Sequence, residues 1–183
     1  RNLFPMYRSI NNLINFKIKN LLDYGCGNSN MTTFFDQYYE CNTFKYDPGI
    51  KQYENLRENI NYDIVINCDV MEHIPEEELD KIFSQISKLT DNVFFNIYLK
   101  EAQTILPDGS NAHVTIKPAN WWSKKISKYF NYVQRVPTSY KNSASFITWK
   151  TTKLKLINAY LLVILDGLAF TIWKLKQLIK YKI

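Results

Sequence analysis

Asp23, Gly25 and Gly27 stand at alternate positions in Leu21-Leu22-Asp23-Tyr24-Gly25-Cys26-Gly27-Asn28-Ser29, where an apolar run enters a turn. Without a Cβ, Gly25 and Gly27 reach backbone angles closed to other residues and let a ligand lie against the main chain, with the Asp23 carboxylate beside it. The pattern fits a nucleotide-binding turn or an ordinary tight strand-to-helix connection. Asp47 ends a second short segment, Thr43-Phe44-Lys45-Tyr46-Asp47-Pro48. That is where a carboxylate chelates ribose hydroxyls in a βαβ nucleotide site.

A second constellation follows. Asp69, Glu72 and His73 are spaced i, i+3 and i+4, which brings all three to one face if the turn is helical. His113, in Asn111-Ala112-His113-Val114-Thr115, closes a long polar loop and can join them. Two carboxylates and two imidazoles make an open site for a divalent cation such as magnesium, manganese, iron or zinc. Without a cation, His113 can serve as a general base, since imidazole titrates near neutral pH. Trp121 and Trp122 are candidates to line a sugar or base pocket. Adjacent helical residues point about 100° apart, so one faces the site while the other packs in the core. Lys124 and Lys125 read as a solvated face.

The elements that must position these groups alternate in an α/β manner. Strands are predicted up to Asp23, over 43–47, over 62–68 and over 92–99, with a closing antiparallel hairpin of 132–140 and 144–150 about Lys141-Asn142-Ser143. Helices are predicted near Pro5 to Phe16, covering one edge of the nucleotide site, from an Asn28 cap to about Tyr39, and over 50–59. Others are predicted from Pro75-Glu76-Glu77-Glu78 to about Leu89, where proline and carboxylates favour a helix start, and over 118–130. His113 is expected to lead back into an apolar strand. The loop from Lys100 to Ala112, with its Pro107-Asp108-Gly109 turn, lies where it can cover a substrate.

In this order the residues resemble the class I S-adenosylmethionine-dependent methyltransferases, whose first motif is a strand followed by Asp-x-Gly-x-Gly-x-Gly and whose later strand often ends in a Leu-Glu-His-like turn. The resemblance covers about residues 18 to 150. It implies a Rossmann-like, mostly parallel sheet with helices on both faces. Residues Asp23 to Ser29, with Gly25, Cys26 and Gly27, would wrap the methionine part of the cofactor. Asp47 would bind the ribose hydroxyls, and Asn67, Cys68 and Asp69 would border the adenine and methionine sites. Ser29 replaces the third glycine. Between Asp47 and Asp63 there is room for one helix where the family fits helix, strand and helix, so one βα unit is reduced. Asp69, Glu72, His73 and His113 are also similar to the metal site of the metal-dependent small-RNA terminal 2′-O-methyltransferases, with Asp69 in place of a glutamate, and Trp121 or Trp122 echoes that family too.

The implied activity is methylation of a hydroxyl on a carbohydrate, nucleotide-linked or similar polar metabolite, with His113 and His73 as catalytic residues. A metal-dependent RNA 2′-O-methyltransferase and a non-catalytic binding or scaffold subunit are the alternatives.

A chain of 183 residues suits one domain, over 1–150, followed by a helical tail over 151–183. The net charge of +6 favours anionic partners without choosing among nucleic acid, phosphorylated metabolites and membranes. Cys26, Cys41 and Cys68 lack metal-ligand spacing and suit the reducing cytoplasm, and no secretory signal is visible after Arg1. The tail from Leu156 to Trp173 is almost wholly apolar around Asn158, Asp166, Gly167 and Thr171. Its length approaches a membrane span, but Asp166 near its centre disfavours one. Trp173, Tyr181 and Lys174, Lys176, Lys180 and Lys182 suit an interfacial helix on an anionic membrane, while packing on the domain or on a second copy as a homodimer is the other reading.

Overall fold

The computed structural model describes residues 3–180, with the side chains of 175–180 left aside. The expectations on Lys176 and Lys180 as side chains, and on Tyr181 and Lys182, therefore lie outside the described residues. A six-stranded sheet forms the centre, with strand order β2-β1-β3-β4-β6-β5. The strands are β1 (Asn20–Tyr24), β2 (Asn42–Tyr46), β3 (Ile64–Cys68), β4 (Val93–Tyr98), β5 (Gln134–Val136) and β6 (Ser143–Ile147). β2, β1, β3 and β4 run parallel, and β6 turns back antiparallel to β4 and β5. This is the predicted α/β sheet with its closing hairpin.

Alternation along the strands builds two cores. Leu22, Val65, Phe95 and Phe146 face one side, with α3 (Leu79–Leu89) and α4 (Ala119–Ile126). Their neighbours Leu21, Ile64, Phe94 and Ile147 face the other, with α1 (Phe4–Leu13), α2 (Met31–Tyr38) and α5 (Lys153–Lys180). Strands covered on both faces are apolar at consecutive positions, which is why these segments read as continuous runs.

Several expectations are corrected. No helix spans 50–59; a 3₁₀ turn, Lys51–Tyr53, and a loop take its place, so β2 is an edge strand and the βα unit is reduced further than predicted. α2 begins beyond Asn30, and the Ser29 hydroxyl, not Asn28, accepts the Met31 N–H at 3.0 Å. Pro75 to Glu78 form a turn ahead of α3, with the Glu78 N–H donating to the Pro75 carbonyl. α1 packs against α2 and α5 rather than beside the glycine turn. The residues after His113 form no strand.

α5 crosses the outer face of α1. Leu156 and Ala159 pack into the core, and Asp166 pairs with Arg8 and accepts a hydrogen bond from the Ser139 hydroxyl at 2.6 Å. The first half of the tail is thus docked on the domain, and its central carboxylate has partners. By length and composition, Lys153–Lys174 is long and apolar enough to cross a membrane.

Candidate functional site

The C-terminal ends of the parallel strands carry the site. β1 enters a turn whose Gly25 and Cys26 N–H groups both donate to the Tyr46 carbonyl, at 2.7 and 3.0 Å, fastening the turn to the end of β2. Gly25 and Gly27 have φ of +77° and +49°, in the left-handed region that side chains disfavour. Their surroundings differ. A Cβ on Gly25 would fall 2.4 Å from Val70 Cγ2, whereas one on Gly27 meets nothing within 4 Å among the described residues. Gly25 therefore permits a close approach within the protein, and Gly27 leaves open space.

That space belongs to a cavity of about 320 Å³ bounded by Gly25, Gly27, Asp47, Asp69, Val70 and His73. Asp47 spans its mouth, accepting the Gly27 N–H at 2.8 Å and the Gly49 N–H at 2.9 Å. Asp69 turns the chain at the end of β3 with φ of 58°, and its N–H donates to the Asn96 carbonyl at 2.8 Å. A larger hollow of about 640 Å³ lies along the open edge of β2, against Lys45, Tyr53 and Arg57; it shares Tyr46 with the smaller cavity but is lined by neither glycine nor histidine.

Beside the smaller cavity, a 3₁₀ turn, Met71–His73, carries Glu72 and His73 towards His113. Among the described residues, Glu72, His73 and His113 are grouped so that one ligand atom from each lies within 4.8 Å of the others. Glu72 is fully buried, and its Oε1 accepts the Tyr98 N–H at 3.0 Å. Nδ1 of His73 donates to the Ala112 carbonyl at 2.8 Å, and Nδ1 of His113 to the Lys100 carbonyl at 2.6 Å. A carbonyl only accepts, so each ring carries its proton on Nδ1 and, when neutral, presents the Nε2 lone pair. Burial pulls the His73 imidazole below its ordinary value, opposed by the Ala112 hydrogen bond and helped by His113. Asp69 stands outside this group of three.

No protein-family model matches the sequence, and no curated protein matches it. The fold is matched by solved structures. An O-methyltransferase family protein from Burkholderia thailandensis aligns at TM-score 0.59 and 9% identity, over 82% of this chain and 57% of that one. An S-adenosylmethionine-dependent methyltransferase from Listeria monocytogenes aligns at TM-score 0.52 and 11% identity, over 80% of this chain and 98% of the other. Human N-acetylserotonin methyltransferase, solved with its S-adenosylmethionine, aligns at TM-score 0.57 and 13% identity, over 80% and 52%. The chain thus spans just over half the length of the Burkholderia and human proteins.

The chain has the class I S-adenosylmethionine-dependent methyltransferase fold.

Within that methyltransferase fold, the other predicted positions fall in three places. Asp23 is buried under the turn, where desolvation pushes its carboxyl up to about 7 against the pull of Lys45 and a hydrogen bond with Ser29, and its Oδ2 has no hydrogen-bond partner among the described residues. Cys26 is also buried there, with its thiol pushed up to about 11 by burial and by Asp23 and Asp47. Asn67 lies deep in β3, where its Nδ2 ties the Tyr24 carbonyl at 3.0 Å, and Cys68 packs against the α1 and α2 side. Neither lines the cavity.

The tryptophans do not reach the cavity. Trp122 is fully buried in the core, and Trp121 is packed edge-on against it beneath the ammonium groups of Lys117 and Lys125. Lys125 is itself buried and paired with Asp80 at 2.7 Å, which corrects its assignment to a solvated face. Sequence reasoning missed Val70, Thr115 and Asn111. Thr115 bonds the Glu72 and Ile74 carbonyls and so fixes the strand of loop that presents His113. Asn111 accepts the Ala102 and His113 N–H groups, both at 2.9 Å, and its amide donates to the Ala102 carbonyl. Asn two residues before a histidine is a side-chain turn signature, and that signal was present in the sequence.

Proposed function

We propose that the chain is an S-adenosylmethionine-dependent methyltransferase acting on a hydroxyl of a small polar acceptor, of the carbohydrate or nucleotide-linked kind. The observation that carries this reading is the single cavity onto which Gly27, Asp47, Asp69 and His73 open, with His113 and Glu72 against His73. The residues fit the cofactor. Gly27 leaves room at the turn, Asp47 is placed to accept from vicinal hydroxyls, and the orphaned Asp23 oxygen seeks a donor of the kind an ammonium offers. When bound, S-adenosylmethionine supplies a methyl group on a sulfonium, poised for in-line displacement.

The chain's own part is to orient the acceptor, exclude water and remove the hydroxyl proton. His113 Nε2 is the assigned base. The Lys100 carbonyl on Nδ1 fixes its tautomer and stabilises the imidazolium that proton uptake creates. His73, kept neutral by burial, adds no opposing charge to that step.

Glu72, His73 and His113 also fit a divalent cation, since one ligand atom from each lies within 4.8 Å of the others and both Nδ1 atoms, engaged by carbonyls, leave Nε2 as the ring nitrogen with a lone pair to offer. Two imidazoles and one carboxylate suit zinc, iron or manganese better than magnesium. Such a cation would act as a Lewis acid on the acceptor oxygen. The same trio favours a second reading, methylation of a 2′-hydroxyl at an RNA end, which the net charge of +6 suits. Cys26, Cys41 and Cys68 form no disulfide, which suits the cytoplasm.

Calorimetric titration with S-adenosylhomocysteine, with and without added zinc or manganese, tests this reading. Binding without metal supports the methyltransferase, tighter binding or restored activity with metal supports the trio as ligands, and no binding in either condition rejects both. Methyl transfer to RNA ends but to no small hydroxyl compound would replace the first acceptor class by the second.

A further inference from the structure

We infer that α5 seats the protein on an anionic lipid bilayer, lying in the plane of the membrane surface. At about 100° per residue, Leu154, Ile157, Leu161, Ile164, Leu165 and Leu168 fall on one side of the helix. All six are more than half exposed. The opposite side, through Leu156, Ala159 and Asp166, is the one docked on the domain. The helix is therefore two-faced, with protein under one face and an apolar stripe on the other. Contiguous exposed apolar surface of this kind marks an interaction site.

Two observations choose the occupant and its geometry. Charge complements an anionic surface, because Lys153 flanks the stripe at its start, the exposed Trp173 and Lys174 follow beyond its end where the helix is no longer docked, and the chain carries +6. The clasp at Asp166 excludes crossing the membrane in this arrangement. A span of 22 residues covers about 33 Å, and Asp166 lies near its middle. There it would bring Arg8, Ser139 and the exposed Asn11 of α1 into the hydrocarbon centre, where polar groups are costly. Lying in the interface, α5 keeps those groups on the protein side and buries only its stripe.

The helix also reaches the end of the sheet that carries the site. Ser139 belongs to the turn between β5 and β6, and β6 opens at Ser143 opposite Tyr98, the last residue of β4. Past Asp166, residues 167–174 are exposed on every side, with the Phe170 and Trp173 rings stacked at 5.9 Å. An all-round apolar segment is unfavourable in water and favourable at a lipid interface.

Flotation of the full chain with vesicles tests the inference without cofactor or acceptor, so its outcome is separate from that of the proposed methyl transfer. Binding is expected to vesicles of phosphatidylcholine with phosphatidylserine, and to be weaker with phosphatidylcholine alone. The pair Leu161→Glu and Leu165→Glu should reduce it at least about tenfold, while Ile105→Glu, an exposed apolar residue elsewhere, should leave it unchanged. Both stripe residues face solvent, so the fold should survive, as circular dichroism would verify. Unchanged binding by the stripe variant, or resistance of membrane-bound protein to alkaline extraction, overturns the in-plane assignment. A stable dimer that ignores vesicles and is dissociated by the same pair would give the face to a second copy instead.

Discussion

The rings of His73 and His113 meet edge to face with centroids 4.8 Å apart, although forty positions separate them in the chain. Each ring is held from behind by a backbone carbonyl, at Ala112 and Lys100. The pair is thus built by the long loop folding back onto the turn that follows β3, so the loop is a structural part of the site.

His113→Ala is expected to abolish methyl transfer while changing S-adenosylhomocysteine affinity little. If His113 acts as a ligand, chelator removes wild-type activity and added metal restores it. As a simple base it gives a rate indifferent to chelator that falls on protonation of the imidazole. Full turnover by the variant would take His113 out of the mechanism.

His73 makes stability depend on pH in a fixed direction. Its folded value is lowered by burial, so below the ordinary 6.5 the unfolded chain binds more protons than the native one. Its stabilising contribution is therefore present above that value and declines as pH falls below it. Denaturant midpoints of wild type and His73→Gln, compared from pH 7 downward, should converge as the pH drops; a constant difference would contradict the buried neutral ring.

Asp23 has the opposite sign. With a carboxyl pushed up to about 7 from 3.8, the native state holds more protons than the unfolded chain between those values, so this residue's contribution falls as pH rises through that window. Asp23→Asn removes the dependence. Relative to wild type, the variant should gain stability from about pH 4 to about pH 7, and parallel profiles would show an ordinary carboxylate.

The two glycines should fail differently. Gly25→Ala meets Val70 and should lower the melting temperature, with part of the loss recovered by adding Val70→Ala. Gly27→Ala has room and should cost only the left-handed strain, about 1–2 kcal/mol, yet weaken S-adenosylhomocysteine binding by filling the cavity. Equal stability losses with unaltered binding would refute the distinction.

For Asp47→Ala, loss of a charged acceptor amounts to about 1.5–3 kcal/mol, or roughly tenfold or more in S-adenosylhomocysteine affinity. Part of that loss comes from releasing the Gly27 and Gly49 N–H groups. An affinity equal to wild type would remove Asp47 from the cofactor site.

The sheet was legible because both cores write themselves into neighbouring residues: Leu21 and Leu22, Ile64 and Val65, Phe94 and Phe95 each divide between the two faces. The glycine turn was legible through its spacing. What stayed hidden depends on distant partners. Residues 52–59 include good helix formers, but Tyr53 serves instead to receive the Asp47 N–H, and Arg57 lies over the Phe44 ring. Lys125 reads as a surface residue until α3 supplies Asp80. Nothing local reveals that Val70 demands Gly25, because the contact joins the ends of two strands.

The exposed position of β2 has a kinetic meaning. Its residues are half-covered where those of β3 are buried, and its outer flank is held by a 3₁₀ turn and a loop instead of another strand. Local opening begins where few buried contacts oppose it, so amide hydrogens of Asn42–Tyr46 should exchange with solvent sooner than those of Ile64–Cys68. Asp47 follows directly on this fraying border and is bonded to the turn after β1. A ligand gripped by Asp47 would therefore act as the missing neighbour, slowing exchange along β2 and tying this edge strand to the buried interior of the sheet.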